Sequence, residues 1–593
     1  MARPNLSPNQ YRPSRRARAT IACFNLAGRI ALRRFERRTR NAIKANRDTL
    51  VQILKLQRAT EFGRVHRFDV TLESVDPVAA YQDITPLTRY ADYSHYIDRI
   101  ANGRQGVLTR DPVDILAGSA GTTAAGKRLP NTRRARRKFM FFVPLVQQGV
   151  IAREIHGGRS TQRGINLMSL YSPPVENNAH QPVMSANNAA MDSVRQQIPI
   201  MWSSPETVFG IGHQPTAYYL HALFGLINHH APYIAAVFAP HLTSFFALIE
   251  KHRDQLILDI EYGSVSNHLA LSAAERQSLE AALQPDPIRA RELRTEFDKG
   301  FANIVPRIWP QMRYLATVTT GSFSIYMPRL RSLTGKTMPI YTPCHAASEA
   351  IIGINLRPDR NDYVLALGGA HFEFIPLAQS DEDRPATVDI NELRIGQEYE
   401  VVLTNFAGLY RYRIEDIVRI TGFLGTAPTF EFLCRRSAIL NLVGEKTTEY
   451  HTAAAVTTCM EKWLGSNRYL RDYSVAARNT NGLPNYAFYI ELDADIRATD
   501  ENTQGIAARL DQALCQANVY YWSNGRKAEA LGPLRINFVE PGTFETLTRL
   551  RDELSRESVT SQLKTARVIN RSEHMAILDA AVYLSTCGSE SAP

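Results

Sequence analysis

The sequence predicts an α/β protein, with a large N-terminal mixed α/β domain followed by a smaller α+β domain, on three observations. The chain has 593 residues, beyond the roughly 250–300 at which one hydrophobic core stops growing. Short apolar runs between loops read as strands: VDIL at 113–116, YVLAL at 363–367, HFEFIPL at 371–377, YEVVLT at 399–404 and DIVRITGF at 416–423. Segments of helical period dominate residues 215–315, among them LHALFGLINHH, FFALIEKH and AAERQSLEAAL. Hydrophobic residues at 44% and charged residues at 21% exclude disordered, collagenous and disulfide-built chains.

Residues 1–45 form a basic tail and first helix. Residues 1–40 hold eleven arginines and one acid, Glu36, which accounts for nearly all of the net charge of +11. A nucleic-acid partner is therefore not expected, because the charge is confined to this segment rather than spread as a stripe over the body. Ile21, Phe24, Ile30 and Phe35 recur at roughly helical spacing, so the expected state is a frayed tail leading into a helix packed on the body. A transit peptide or a weak contact with an anionic surface is the alternative. The helical pattern continues to the turn at Glu61-Phe62-Gly63-Arg64.

Residues 46–436 form the large domain, and 437–585 the smaller one, with helices near 448–464 and 504–518 and strands near 485–492 and 534–540. The six cysteines are scattered without a C-x-x-C pair, which argues against a zinc ribbon or disulfide scaffold and suits a reducing compartment. Apolar runs such as Pro232 to Pro240 are too short to span a bilayer. The expected location is cytoplasmic, with organelle targeting as the alternative reading of the arginine-rich start.

The most informative segment is Ala117-Gly118-Ser119-Ala120-Gly121-Thr122-Thr123-Ala124-Ala125-Gly126-Lys127, after the strand VDIL. Small residues let backbone N–H groups approach an anion, three hydroxyls donate hydrogen bonds, and Lys127 brings positive charge to phosphates. Gly121 to Lys127 fits G-x-x-x-x-G-K, but Arg128 stands where a Walker A loop needs Ser or Thr for magnesium. A Ser-x-Gly-Thr-Thr loop followed by lysine and Pro130 is similar instead to the loop of adenylate-forming enzymes.

Further segments extend the likeness. His345-Ala346-Ala347-Ser348-Glu349-Ala350-Ile351-Ile352-Gly353-Ile354-Asn355-Leu356, Phe372-Glu373-Phe374-Ile375-Pro376 and Gly408-Leu409-Tyr410-Arg411-Tyr412-Arg413-Ile414-Glu415-Asp416 follow in order. Thr60 to Arg64, Pro541-Gly542-Thr543-Phe544 and Gln562-Leu563-Lys564-Thr565-Ala566-Arg567 flank them. Together they resemble the Gretchen Hagen Three family of acyl acid amido synthetases over residues 50 to 570.

The resemblance implies a large adenylating domain and a smaller, mobile C-terminal domain. ATP bound between them, with Mg²⁺, would convert a small carboxylic acid to an acyl-AMP, and the amine of an amino acid would then displace AMP. Carried over residue by residue, Ser119, Gly121, Thr122 and Thr123 hold phosphate with Lys127 adjacent, and Ser348 lies near the nucleotide. Glu349 holds Mg²⁺, a hard cation suited to carboxylate oxygen. Asp416 accepts hydrogen bonds from ribose hydroxyls. Lys446, in Gly444-Glu445-Lys446-Thr447, neutralises phosphate charge near the hinge, and Lys564 arrives from the C-terminal domain; both are catalytic candidates.

Three positions depart from the family pattern: His345 in place of tyrosine, Ala347 in place of serine, and Glu415 in place of the glycine before the ribose aspartate. Two other features invite sharper readings. The pair His229-His230 lies in an apolar helical stretch without ligand-spaced neighbours and reads as structural. The run Arg133-Arg134-Ala135-Arg136-Arg137-Lys138 reads as a solvated helix face that could attract an acidic substrate. The alternatives to an amido synthetase are a thiol-acceptor ligase such as an acyl-CoA ligase, and a nucleotide-binding protein on a degraded enzyme scaffold.

Overall fold

The computed structural model describes residues 13–119, 127–171, 183–465, 469–478, 483–493, 496–554 and 565–588. Helix α1 (Arg15–Thr39) starts where the Ser14 side chain accepts a hydrogen bond from the Ala17 N–H, satisfying one of the free donors of a first turn. Ala17, Ile21, Gly28, Ala31, Leu32 and Phe35 recur every three or four residues and are buried. This inner face packs on helix Gln147–Glu154 and on the turn of helix before it. Helix α2 (Ala42–Gln57) turns its buried face, Leu50, Ile53 and Leu54, onto the main sheet. The basic segment is thus a packed helix from Arg15 onward.

The main sheet has seven strands in the order β11-β12-β13-β14-β10-β9-β8, all antiparallel. In chain order they are β8 (Cys344–Ala346), β9 (Ile351–Ile354), β10 (Tyr363–Leu365), β11 (Ala370–Pro376), β12 (Glu398–Asn405), β13 (Tyr412–Leu424) and β14 (Ala427–Arg435). Beside it stands a three-stranded sheet, β2-β1-β4, of β1 (Val113–Ser119), β2 (Lys127–Thr132) and β4 (Val183–Ser185).

A parallel sheet, β3-β5-β6-β7, comprises β3 (Ile165–Asn166), β5 (Tyr233–Phe238), β6 (Tyr314–Val318) and β7 (Ile340–Tyr341). Its helices include Gln214–Ile227, Ala239–Lys251 and Pro287–Asp298. The helix-dominated reading of 215–315 thus missed β5. The run YIAAVF between prolines is a strand in a parallel sheet, where an uninterrupted apolar stretch carries no alternation to mark it. His229 and His230 correct the reading in the same region: they sit in the turn after helix Gln214–Ile227, ring against ring at 5.6 Å. Among the described residues no helix is long and apolar enough to cross a membrane.

After β14 the chain passes through residues 436–448 into helix Glu449–Leu464 and a second mixed sheet, β15-β16-β17-β18. Its strands are β15 (Leu470–Arg478), β16 (Asn485–Leu492), β17 (Arg535–Val539) and β18 (Val582–Cys587). This unit joins the rest through a buried contact. The Arg567 guanidinium pairs with Asp472, donates to the Tyr473 carbonyl at 2.5 Å, and reaches the Tyr326 hydroxyl of the large unit at 3.1 Å.

Candidate active site

β1 and β2 form an antiparallel hairpin in which Ser119 faces Lys127. Ser119 ends β1, and Gly121, Thr122 and Thr123 lie outside the described residues. The element that follows, β2, is a strand antiparallel to β1, whereas a Walker A loop runs from a strand into a helix. That topology and Arg128 point the same way. Lys127 opens β2, its Nζ 3.5 Å from the Tyr412 hydroxyl and 5.8 Å from the centre of the Tyr90 ring.

Asp416 lies on β13 opposite Arg435 of β14 and is 1% exposed. One carboxylate oxygen is 3.0 Å from Nε2 of His345 on β8, and the other accepts from Arg435 Nε at 3.1 Å. Burial alone would raise its pKa; the Arg435 charge and the His345 hydrogen bond outweigh this and hold it at about 2. The His345 ring stacks on Phe432, 4.4 Å between centroids. The residue that departs from the family's tyrosine is therefore wedged between an aromatic ring and the aspartate. Both Asp416 oxygens are engaged, and each keeps a further lone pair for a ligand hydroxyl.

Glu415, the second departure, has φ +65°, a backbone region costly to residues with a Cβ and free to glycine. Its carboxylate pairs with Arg89 at 3.1 Å. The physical reason for a glycine in this position is thus visible in a chain that lacks it.

Ser348 and Glu349 occupy the turn between β8 and β9, closed by a hydrogen bond from the Ala347 N–H to the Ala350 carbonyl at 2.9 Å. The Asn405 side chain donates to the Glu349 carbonyl oxygen at 2.8 Å. The Glu349 carboxylate has no hydrogen bond or ion pair from another side chain among the described residues. Burial raises its pKa, opposed by the charges of Arg435 and Lys127. Lys127, Glu349, Asp416 and Arg435 thus share one electrostatic neighbourhood. A lone, poorly solvated carboxylate suits Mg²⁺, which takes one or two protein carboxylates and fills its remaining positions with water and phosphate oxygens.

Ser348 and Glu349 line a shallow recess of about 60 Å³, open to solvent, whose walls include Ala135, Phe139, Phe142, Ala347, Ala350 and Phe406. Lys138 enters its wall from helix Arg133–Met140, donating to the Gly368 carbonyl at 2.9 Å with Nζ 4.4 Å from the centre of the Phe406 ring. Burial, then the charges of Arg38 and Arg134, lower its pKa to about 8. The basic run is therefore not a plain solvated face. Arg134 pairs with Asp111 at 2.6 Å and Arg136 with Asp114 at 2.5 Å; Arg136 and Lys138 both line the recess, and Lys138 is the one of the two without a carboxylate partner among the described residues.

Lys446, at φ +43° after Gly444, extends to Asp381 at 3.2 Å, where Arg436 also binds. No contact described here brings it to Lys127, Glu349 or Asp416. Lys564 lies outside the described residues; its neighbours Thr565 and Arg567 both bind Asp472. Sequence reasoning missed Arg435, and it missed Lys138, hidden in an arginine run. Strand register supplies the first, and the folding of Asp111 and Asp114 onto Arg134 and Arg136 supplies the second.

Residues 31–340 match the GH3 family N-terminal domain, 363–435 the central domain and 450–573 the C-terminal domain. The chain belongs to the GH3 family. Similar members include an indole-3-acetic acid-amido synthetase of Arabidopsis thaliana, 28% identical over 93% of this chain and 92% of that protein. A jasmonoyl-L-amino acid synthetase of Oryza sativa subsp. japonica is 28% identical over 91% of this chain and 94% of its own. Among solved structures, the GH3.15 acyl acid amido synthetase superposes with TM-score 0.81 at 26% identity, over 96% of this chain and 98% of that one. A 2-hydroxyisobutyryl-CoA ligase in the postadenylation state, at TM-score 0.53 and 10% identity over 91% and 92%, shares the fold.

Proposed function

We propose that this GH3 protein is an ATP-dependent acyl acid amido synthetase that activates a small carboxylic acid as its acyl-AMP and transfers the acyl group to the amine of an amino acid. The observation that carries the reading is the convergence of Lys127, Glu349, Asp416 and Arg435 beside one largely apolar recess, in a chain that matches all three GH3 domains. A carboxylate is a poor electrophile because its leaving group is oxide. Attack of a carboxylate oxygen on the α-phosphorus of ATP expels pyrophosphate and leaves acyl-AMP, from whose carbonyl an amine can displace AMP, so no enzyme nucleophile is needed.

In this reading the acid lies in the recess, its hydrocarbon body against Phe139, Phe142 and Phe406, its carboxylate drawn by the Lys138 charge. Asp416 receives ribose hydroxyls on its free lone pairs, with its position fixed by His345 and Arg435. The loop of Ser119, Gly121, Thr122 and Thr123 cradles phosphate, and Lys127 offsets its charge. Mg²⁺ bound through Glu349 would supply positive charge to the phosphates as charge builds at the α-phosphorus. Lys446 joins the site when it leaves Asp381, and Lys564 is supplied by the C-terminal unit.

The six cysteines are unpaired, which supports a reducing, cytoplasmic setting. Hydroxylamine added with ATP and a panel of acids traps any activated acyl group as a hydroxamate. Amino acids offered against coenzyme A then decide the acceptor. The proposal predicts amide products and no thioester; thioester without amide would assign the chain to the thiol-acceptor ligases.

A further inference from the structure

Adenylation leaves the outer face of α1 without a role. The helix is fixed to the body: Gly28 crosses Gly149 so closely that a Cβ on either would meet backbone atoms of the other helix at under 3 Å. The opposite face carries Leu26, Arg29, Ile30, Arg33, Arg34 and Arg37, all exposed, within an arc of about 140° at 100° per residue. Leu26 is 56% exposed and Ile30 44% exposed, one turn apart among the arginines. The acids of the two packed helices, Glu36 and Glu154, are both held by Arg153, so neither neutralises this face.

Charge alone would fit any polyanion. The exposed aliphatic pair narrows the choice, since it gains nothing from a phosphate backbone in water but gains by entering the headgroup boundary of a bilayer while guanidinium groups meet lipid phosphate. We propose that the outer face of α1 docks this enzyme peripherally on an anionic lipid membrane, presenting the synthetase to acids that partition into or leave that membrane.

The test is flotation of the full chain with vesicles of phosphatidylcholine alone and of phosphatidylcholine mixed with phosphatidylglycerol. The chain is expected to float with the mixed vesicles only and to be released by high salt. Replacing Arg29, Arg33 or Arg37 by Gln should weaken binding about fivefold each, and the double variant Leu26→Ser, Ile30→Ser about tenfold. Circular dichroism of each variant should match the parent, since every substituted side chain points to solvent. Failure to float with mixed vesicles at low salt overturns the proposal. So does undiminished binding by the Leu26→Ser, Ile30→Ser variant, and if that variant also retains single-stranded RNA the face is a general polyanion site.

Discussion

At the scale of single residues, Asp416 is the most exacting member of the site. Its carboxyl is held at about 2 in the folded chain, against about 3.9 when unfolded, worth about 2–3 kcal/mol. The folded pKa is the lower one, so this stability is present above pH ~4 and is lost as pH falls toward ~2. Urea unfolding of Asp416→Asn should therefore fall short of the parent by about that amount at neutral pH, with the gap closing as the solution is acidified. A gap independent of pH would mean that the carboxylate is not what His345 and Arg435 stabilise.

Lys138 makes a prediction in the other direction. With its pKa lowered to about 8, it loses its charge as pH rises through that value. The KM for the acid should climb above about pH 8, and Lys138→Arg should flatten the profile because guanidinium keeps its charge there. A rise that persists in Lys138→Arg would place the titrating group elsewhere. Glu349 and Asp416 were legible because family motifs flank them. Arg435 was not, because only the pairing of β13 with β14 sets it against Asp416. Lys138 was not, because sequence alone does not show which cations of a basic run have acids folded onto them.

At the scale of elements, the pairing of β1 with β2 sets Ser119 opposite Lys127. Strand VDIL was legible; that the chain returns antiparallel from Lys127 came from the structure. The boundaries of β11 and β12 fall within one residue of the apolar runs, because turns bound them, whereas β13 begins four residues earlier, at Tyr412. β5 escaped because a buried parallel strand is apolar on both faces. The α1 crossing was equally invisible, since nothing near Gly28 announces Gly149. There a methyl group has no room, and Gly149→Ala should lower stability to urea by about 1–3 kcal/mol. An unaffected midpoint would show that the two helices separate freely, and would weaken the case that α1 is a fixed platform.

At the scale of the whole molecule, the two units share an apolar core, and within that junction Arg567 is buried between Asp472, Tyr473 and Tyr326. Removing the cation leaves Asp472 with a buried charge held only by neutral donors, the Thr565 and Tyr326 hydroxyls and the Tyr473 N–H. Arg567→Met should cost about 3–5 kcal/mol in the unfolding of the C-terminal unit, read by urea titration, and a loss below 1 kcal/mol would mean that water replaces the guanidinium. The sequence predicts a second unit after Arg436, because strand and helix patterns restart there. It did not show this contact, whose members come from positions 326, 472 and 567.

The central claim is that the cluster around Glu349 and Asp416 activates a carboxylic acid with ATP. It is tested most directly by acid-dependent exchange of radiolabelled pyrophosphate into ATP, with magnesium, across aryl, indole and aliphatic carboxylates, in the parent and in Glu349→Ala. Exchange with at least one acid in the parent, and its loss in a folded Glu349→Ala protein, is the predicted result. A parent that binds ATP yet exchanges with no acid, or a Glu349→Ala variant that exchanges at the parental rate, would contradict it.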